Sequence, residues 1–157
     1  MFTVYDVALF FHILGVIAWV GGVFTLIVLN ARIAREKEPS AMAALGRQSQ
    51  FFGRTVIGPA ALVTLIAGIV MVDNAGLSFG TLWIAWGLVG IVVTIALGVT
   101  VIRSSGERLG KLAATTGPGD AQVASLQRRL RSLNYLMLIL LLSIVFAMVF
   151  KPNHRMT

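Results

Sequence analysis

A chain of 157 residues that is 57% hydrophobic and only 12% charged cannot hide its apolar surface in a water-soluble core of that size. Cysteine is absent, which excludes disulfides, thiolate metal sites and cysteine catalysis. The net charge of +7 would suit nucleic acid, but the basic residues flank long apolar runs, so lipid head groups are their natural neighbours and nucleic acid is not.

Four runs carry no formal charge: 25 residues between Asp6 and Arg32, 18 between Arg54 and Asp73, 29 between Asp73 and Arg103, and 19 between Arg131 and Lys151. A bilayer core takes roughly 17–25 apolar residues per helix. The runs do not alternate as barrel strands would. The sequence therefore predicts an all-α polytopic membrane protein, a four-transmembrane-helix bundle forming a single domain over residues 1–157. The helices are expected at about 4–32, 52–72, 81–103 and 121–150.

The first run reads as a retained span. No positive charge precedes it, and it is too long for a cleaved leader. After it, Pro39 and Ser40 signal the start of a short helix that either lies at the interface or extends helix two inward. Gly58-Pro59 should kink or loosen helix two. "DNAGLSFG" reads as a tight turn. "AATTGPGD" breaks the chain after helix three, with Asp120 as the N-cap of helix four. Small residues form stripes: Ala18 and Gly22, then Ala60, Thr64 and Gly68, then Gly90, Thr94 and Gly98. Such spacing lets helices approach closely in lipid.

Eleven of the thirteen Lys and Arg residues fall in the 31–54 and 103–131 segments. The positive-inside rule puts both segments in the cytoplasm and both termini on the outer, periplasmic or extracellular side. The expected location is the bacterial cytoplasmic membrane.

His12 lies in "FFHILGVIAWVGG", about eight residues into helix one, so roughly 12 Å below the outer surface. Intramembrane ionisable residues are costly and usually face a partner. Ala8, Leu9, Gly15, Val16 and Trp19 share its helical face. Gly15 removes bulk one turn away, which suits a flat macrocycle or a close helix contact. A neutral imidazole is a good axial ligand for haem iron, with a methionine sulfur as second ligand. Met71 and Met148 lie toward the outer ends of their spans, and Trp19 and Trp86 are deep enough to flank a cofactor. The alternatives for the second ligand are His12 of a second copy, or none. Lys151 and Arg155 would pair with propionates. The alternative is a histidine hydrogen-bonded within the bundle. No serine triad, phosphate loop or paired intramembrane carboxylates are present.

Three stretches resemble one group of membrane proteins. "HILGVIAWVGGVF", "RTVIGPAALVTLIAGIVMV" and "RRLRSLNYLMLILLLSIVFAMVFKP" are similar, in that order, to helices of the HemJ-type protoporphyrinogen oxidase and copper-resistance protein D superfamily. The resemblance covers about half of the chain. It implies a four-helix bundle able to hold haem b, with His12 at the first-helix ligand position. The HemJ-type pattern also has a Pro-Arg pair and a further His late in helix one, and a Lys after a Trp in helix three. Here Ile27-Val28, Ile33 and "TLWIAWGLVG" stand there instead. The chain thus looks more like the uncharacterised branch than the enzyme.

Three functions follow as expectations. The first is haem binding for electron transfer or redox sensing, with His12 as the metal ligand. The second is a non-catalytic accessory role, as a homodimer or within a larger membrane complex. The third is oxidation of a porphyrinogen.

Overall fold

Lipid offers backbone groups no hydrogen-bond partner, so apolar runs of this length must satisfy themselves as helices. The computed structural model describes residues 1–117 and 119–150, and among these every regular element is helical. Lys151, Pro152, His154 and Arg155 lie outside the described residues. Helix α1 runs over Val4–Ile33. Helices α2 (Pro39–Phe52) and α3 (Gly58–Asn74) are joined through a π-helical turn at Gly53–Ile57. Helices α4 (Leu82–Leu97) and α5 (Arg103–Thr116) are joined the same way at Gly98–Ile102. Helix α6 is Ala121–Phe150. The described residues therefore hold four continuous helices long and apolar enough to cross a membrane, of 30, 36, 35 and 30 residues.

The two middle helices are longer than the expected spans at 52–72 and 81–103. Helix two begins at Pro39, which occupies a first-turn position where its missing N–H costs nothing. Of the two alternatives for the Pro39 helix, the extension of helix two is the one found. Helix three continues through Arg103 to Thr116. At 1.5 Å per residue a 36-residue helix is about 54 Å long, against a hydrocarbon core of roughly 30 Å. The surplus lies at the basic end.

The ends follow local chemistry. Thr3 caps α1: its Oγ1 accepts from the Asp6 backbone N–H at 3.2 Å, and Asp6 Oδ2 accepts from the Thr3 N–H at 2.9 Å. Asp120 caps α6 as expected, accepting from the Gln122 N–H at 2.7 Å. The α3–α4 turn closes on Gly76 at φ +62°, with the Leu77 N–H donating to Val72 O and the Gly76 N–H to Asp73 O. That is the Schellman pattern, and Leu77 packs against the cluster of Val72, Trp83 and Ile84. Pro59 has no N–H and its ring crowds the carbonyl one turn earlier. The π-helical turn immediately before it absorbs that strain.

Packing is antiparallel between neighbours. Helix α1 lies between α3 and α6, α6 lies between α1 and α4, and α3 meets α4 more lightly. A Cβ on Gly15 would meet Thr64 and Ala60, one on Gly22 would meet Ile57, and one on Gly90 would meet Ile144. The small-residue stripes thus serve contacts within the chain. The central core gathers Trp19, Val23, Ile27, Ala60, Ala61, Ile91, Met137, Leu141 and Ile144. A second core at the basic end joins Ile33, Met42, Leu109, Ala113, Val123 and Leu130, so the helix extensions form a bundle of their own. An exposed ion pair ties it across, with Glu107 accepting from Arg54 at 3.2 Å, and Arg103 of the same helix donates to Glu107 at 3.0 Å.

Candidate functional site

The inward face of α1 at its non-basic end carries Ala8, His12, Gly15 and Trp19, spaced by three or four residues. Ala8, Gly15 and Trp19 are buried, and His12 is half-buried. Opposite lies the Ala60–Thr64–Gly68 stripe of α3. Thr64 is 2% exposed, and its hydroxyl donates to its own helix at Ala60 O, 2.8 Å away. That commits the hydroxyl hydrogen to α3 itself, so Thr64 Oγ1 does not donate to the imidazole.

His12 Nδ1 lies 2.9 Å from the backbone oxygen of Thr64. A carbonyl oxygen only accepts, so Nδ1 carries the hydrogen and donates it. In the neutral ring Nε2 then holds the lone pair. Metal-ligating histidines are commonly oriented by this same Nδ1–H to carbonyl bond. The ring is seated over Gly68, where an added Cβ would lie 3.2 Å from His12 Cε1 and 3.3 Å from Nδ1. Gly68 therefore makes the place for the imidazole. Gly15 does a different job: an added Cβ would stand 2.5 Å from Thr64 Oγ1 and 3.1 Å from Ala60 O and Thr64 N. The two backbones meet there, so the space that Gly15 leaves is taken by α3 itself.

The remaining sequence-derived residues are distributed around the bundle. Met71 is on α3, half-buried and one turn beyond Gly68. Met148 is on α6, where its Cε occupies the space left by Gly87 of α4. Trp19 is 3% exposed in the central core. Trp86 is 46% exposed on α4, a helix that does not pack against α1. The structure brings His12 and Gly15 together with Thr64 and Gly68, and it does not bring Trp86 to them. Beside this cluster a shallow apolar cavity of about 360 Å³ opens at the same end, lined in part by Val7, Ala8, Ala67 and Val70. Among the described residues no three His, Asp or Glu side chains gather into a metal-binding group.

One polar residue escaped the sequence reading as a site residue. Asn134 of α6 is 1% exposed, and its Nδ2 has no hydrogen-bond partner among the described residues. It is the one amide in the 132–150 charge-free run, and that isolation was a readable signal, because a polar group within lipid is expensive.

The chain matches no curated protein and no solved structure. A family described as a predicted integral membrane protein, DUF2269, matches residues 6–152, in keeping with four apolar helices that fill almost the whole chain. The chain belongs to that family of integral membrane proteins.

Proposed function

We propose that this membrane protein holds haem b through Nε2 of His12 and serves electron transfer or redox sensing. The observation that carries the reading is the 2.9 Å bond from Nδ1 to Thr64 O, which leaves Nε2 as the acceptor nitrogen and holds the ring against rotation. The resemblance of the His12 segment to the first helix of haem-binding membrane proteins supports it further. Bound haem iron would supply a one-electron couple.

The residues fit the ligand role better than they fit an internal pocket. The spaces at Gly15 and Gly68 are filled by α3 and by the imidazole, and the space at Gly87 is filled by Met148. Room for a macrocycle would therefore have to come from outside these filled contacts; His12 is only half-buried, and the apolar cavity lined in part by Ala8 and Ala67 opens at the same end. Met71 is the methionine of this end. A second copy would complete the other wall and could offer its own His12. Gly68 seats the imidazole, and Thr64 fixes which nitrogen faces the iron.

The orientation belongs to the same reading. The basic segments 31–54 and 103–131 face the cytoplasm of a bacterial cell, and the His12 end faces outward.

The test is the absorption spectrum of detergent-purified protein expressed with ample haem, oxidised and dithionite-reduced. The expected result is a Soret band with sharp reduced α and β bands, lost in His12→Ala while the protein still elutes as a folded species. A colourless wild-type protein of good fold would overturn the haem reading. His12 would then be an interhelical tie, and an accessory role in a larger membrane complex would lead.

A further inference from the structure

At the opposite end from His12, the end of α1 and the first turns of α6 line a cavity of about 160 Å³. Its lining is Asn30 of α1 and the C-cap residue Ala34 with Ala124, Gln127, Arg128 and Arg131 from α6. The volume is small beside the roughly 300–1,000 Å³ of pockets for drug-sized ligands, so it suits a compact group. The spacing aims the chemistry. Residues 124, 127, 128 and 131 share one face of α6, and 30 and 34 share one face of α1. The lining holds two alanines, two side-chain amides that offer N–H donors, and two guanidiniums.

No carboxylate lines this cavity. The ion pairs among the described residues join Glu107 to Arg54 and Arg103, and neither uses Arg128 or Arg131. Glu36, the acid nearest to Ala34 in sequence, is turned onto its own loop, accepting from the Lys37 and Glu38 backbone N–H groups at 3.0 and 3.1 Å. The cavity also sits at a defined depth. The charge-free run of α1 ends at Ala31, and that of α6 begins at Ser132. By the charge pattern, both boundaries fall where the hydrocarbon of a bilayer would give way to head groups.

We propose that this cavity is a binding site for a phosphate group, held by Arg128 and Arg131 with the side-chain amides of Asn30 and Gln127. Arginine presents paired N–H donors that match phosphate oxygens, and its charge is permanent. The phosphate comes from an anionic phospholipid of the surrounding leaflet, or from free phosphate at the membrane surface. The site is independent of the haem reading, because it lies at the other end of the bundle.

The experiment takes the full chain in detergent and measures dioleoyl-phosphatidylglycerol retention by native mass spectrometry, with inorganic phosphate binding followed separately by calorimetry. The variants are R128Q/R131Q and, with the same charge change elsewhere on the basic end, R35Q/K37Q. The expected result is that R128Q/R131Q weakens lipid binding about tenfold or more, while R35Q/K37Q stays close to wild type. Inorganic phosphate binding with that same dependence, and no lipid retention, would support the site with free phosphate as its ligand. Equal losses in both variants would mean diffuse attraction between charges and would overturn the site. So would an unchanged R128Q/R131Q, or no binding of either probe.

Discussion

Gly15 and Gly68 set how closely α1 and α3 meet, and they should respond differently to the same added methyl. At Gly15 the methyl would press on backbone atoms, Ala60 O and Thr64 N, as well as on the buried Thr64 hydroxyl. Backbone cannot step aside without moving a helix, so Gly15→Ala should cost about 1–3 kcal/mol. At Gly68 the methyl meets only the imidazole edge at 3.2–3.3 Å, so it asks a side chain, not a backbone, to shift by a few tenths of an ångström. Gly68→Ala should therefore melt nearer to wild type than Gly15→Ala in a detergent thermal-unfolding comparison. Equal melting temperatures would mean that α3 does not approach α1 as described. His12 itself stood out in the sequence as an imidazole among apolar residues, but its partner did not. Thr64 contributes a backbone oxygen, which every residue carries, so side-chain identity held no signal for it. Met148 was equally opaque, since its neighbour Gly87 is an absence of side chain on a different helix.

At the scale of the elements, the charge-free runs measured lipid crossings and not helices. Arg54 and Arg103 mark the edge of the hydrocarbon, but nothing in a single arginine ends a helix. The Ala-rich "PSAMAALGRQSQ" and "ERLGKLAATT" stretches carry the helices onward, and Met42, Leu109 and Ala113 bury into a second core with Val123 and Leu130. That is why the expected bounds at 52 and 103 fell inside longer helices. The caps were more legible. Asp120 follows from its position ahead of an apolar repeat, and the turn at "DNAGLSFG" follows from its Gly and Asn. The role of Gly76 can be tested in isolation, because it is exposed and an added Cβ would meet nothing within 4 Å. Its φ of +62° is the only obstacle to a side chain. Gly76→Ala should lower stability by about 1–2 kcal/mol, the cost of the left-handed conformation for an L-residue. A denaturation midpoint unchanged from wild type would show that the turn does not close on Gly76.

At the scale of the whole molecule, four crossings place the start of α1 and the end of α6 at one end and the α1–α2 and α5–α6 connections at the other. The charge is as one-sided as the topology: eleven basic residues lie in 31–54 and 103–131, while Asp73 is the only charge between Arg54 and Arg103. The orientation therefore reduces to which compartment the basic end faces. The absence of cysteine makes the answer accessible, since any introduced thiol is the only one in the chain. Ser78 lies in the α3–α4 turn, Gln48 on α2 and Thr115 on α5, and all three are exposed. In intact bacterial cells, Ser78→Cys should react with a membrane-impermeant maleimide at once. Gln48→Cys and Thr115→Cys should react only after the cells are opened. The reverse pattern would invert the protein, carrying His12 to the cytoplasmic side and the Arg128–Arg131 cavity to the outer leaflet. A redox group at His12 would then exchange electrons with cytoplasmic partners, so this labelling decides which compartment any electron donor to His12 must occupy.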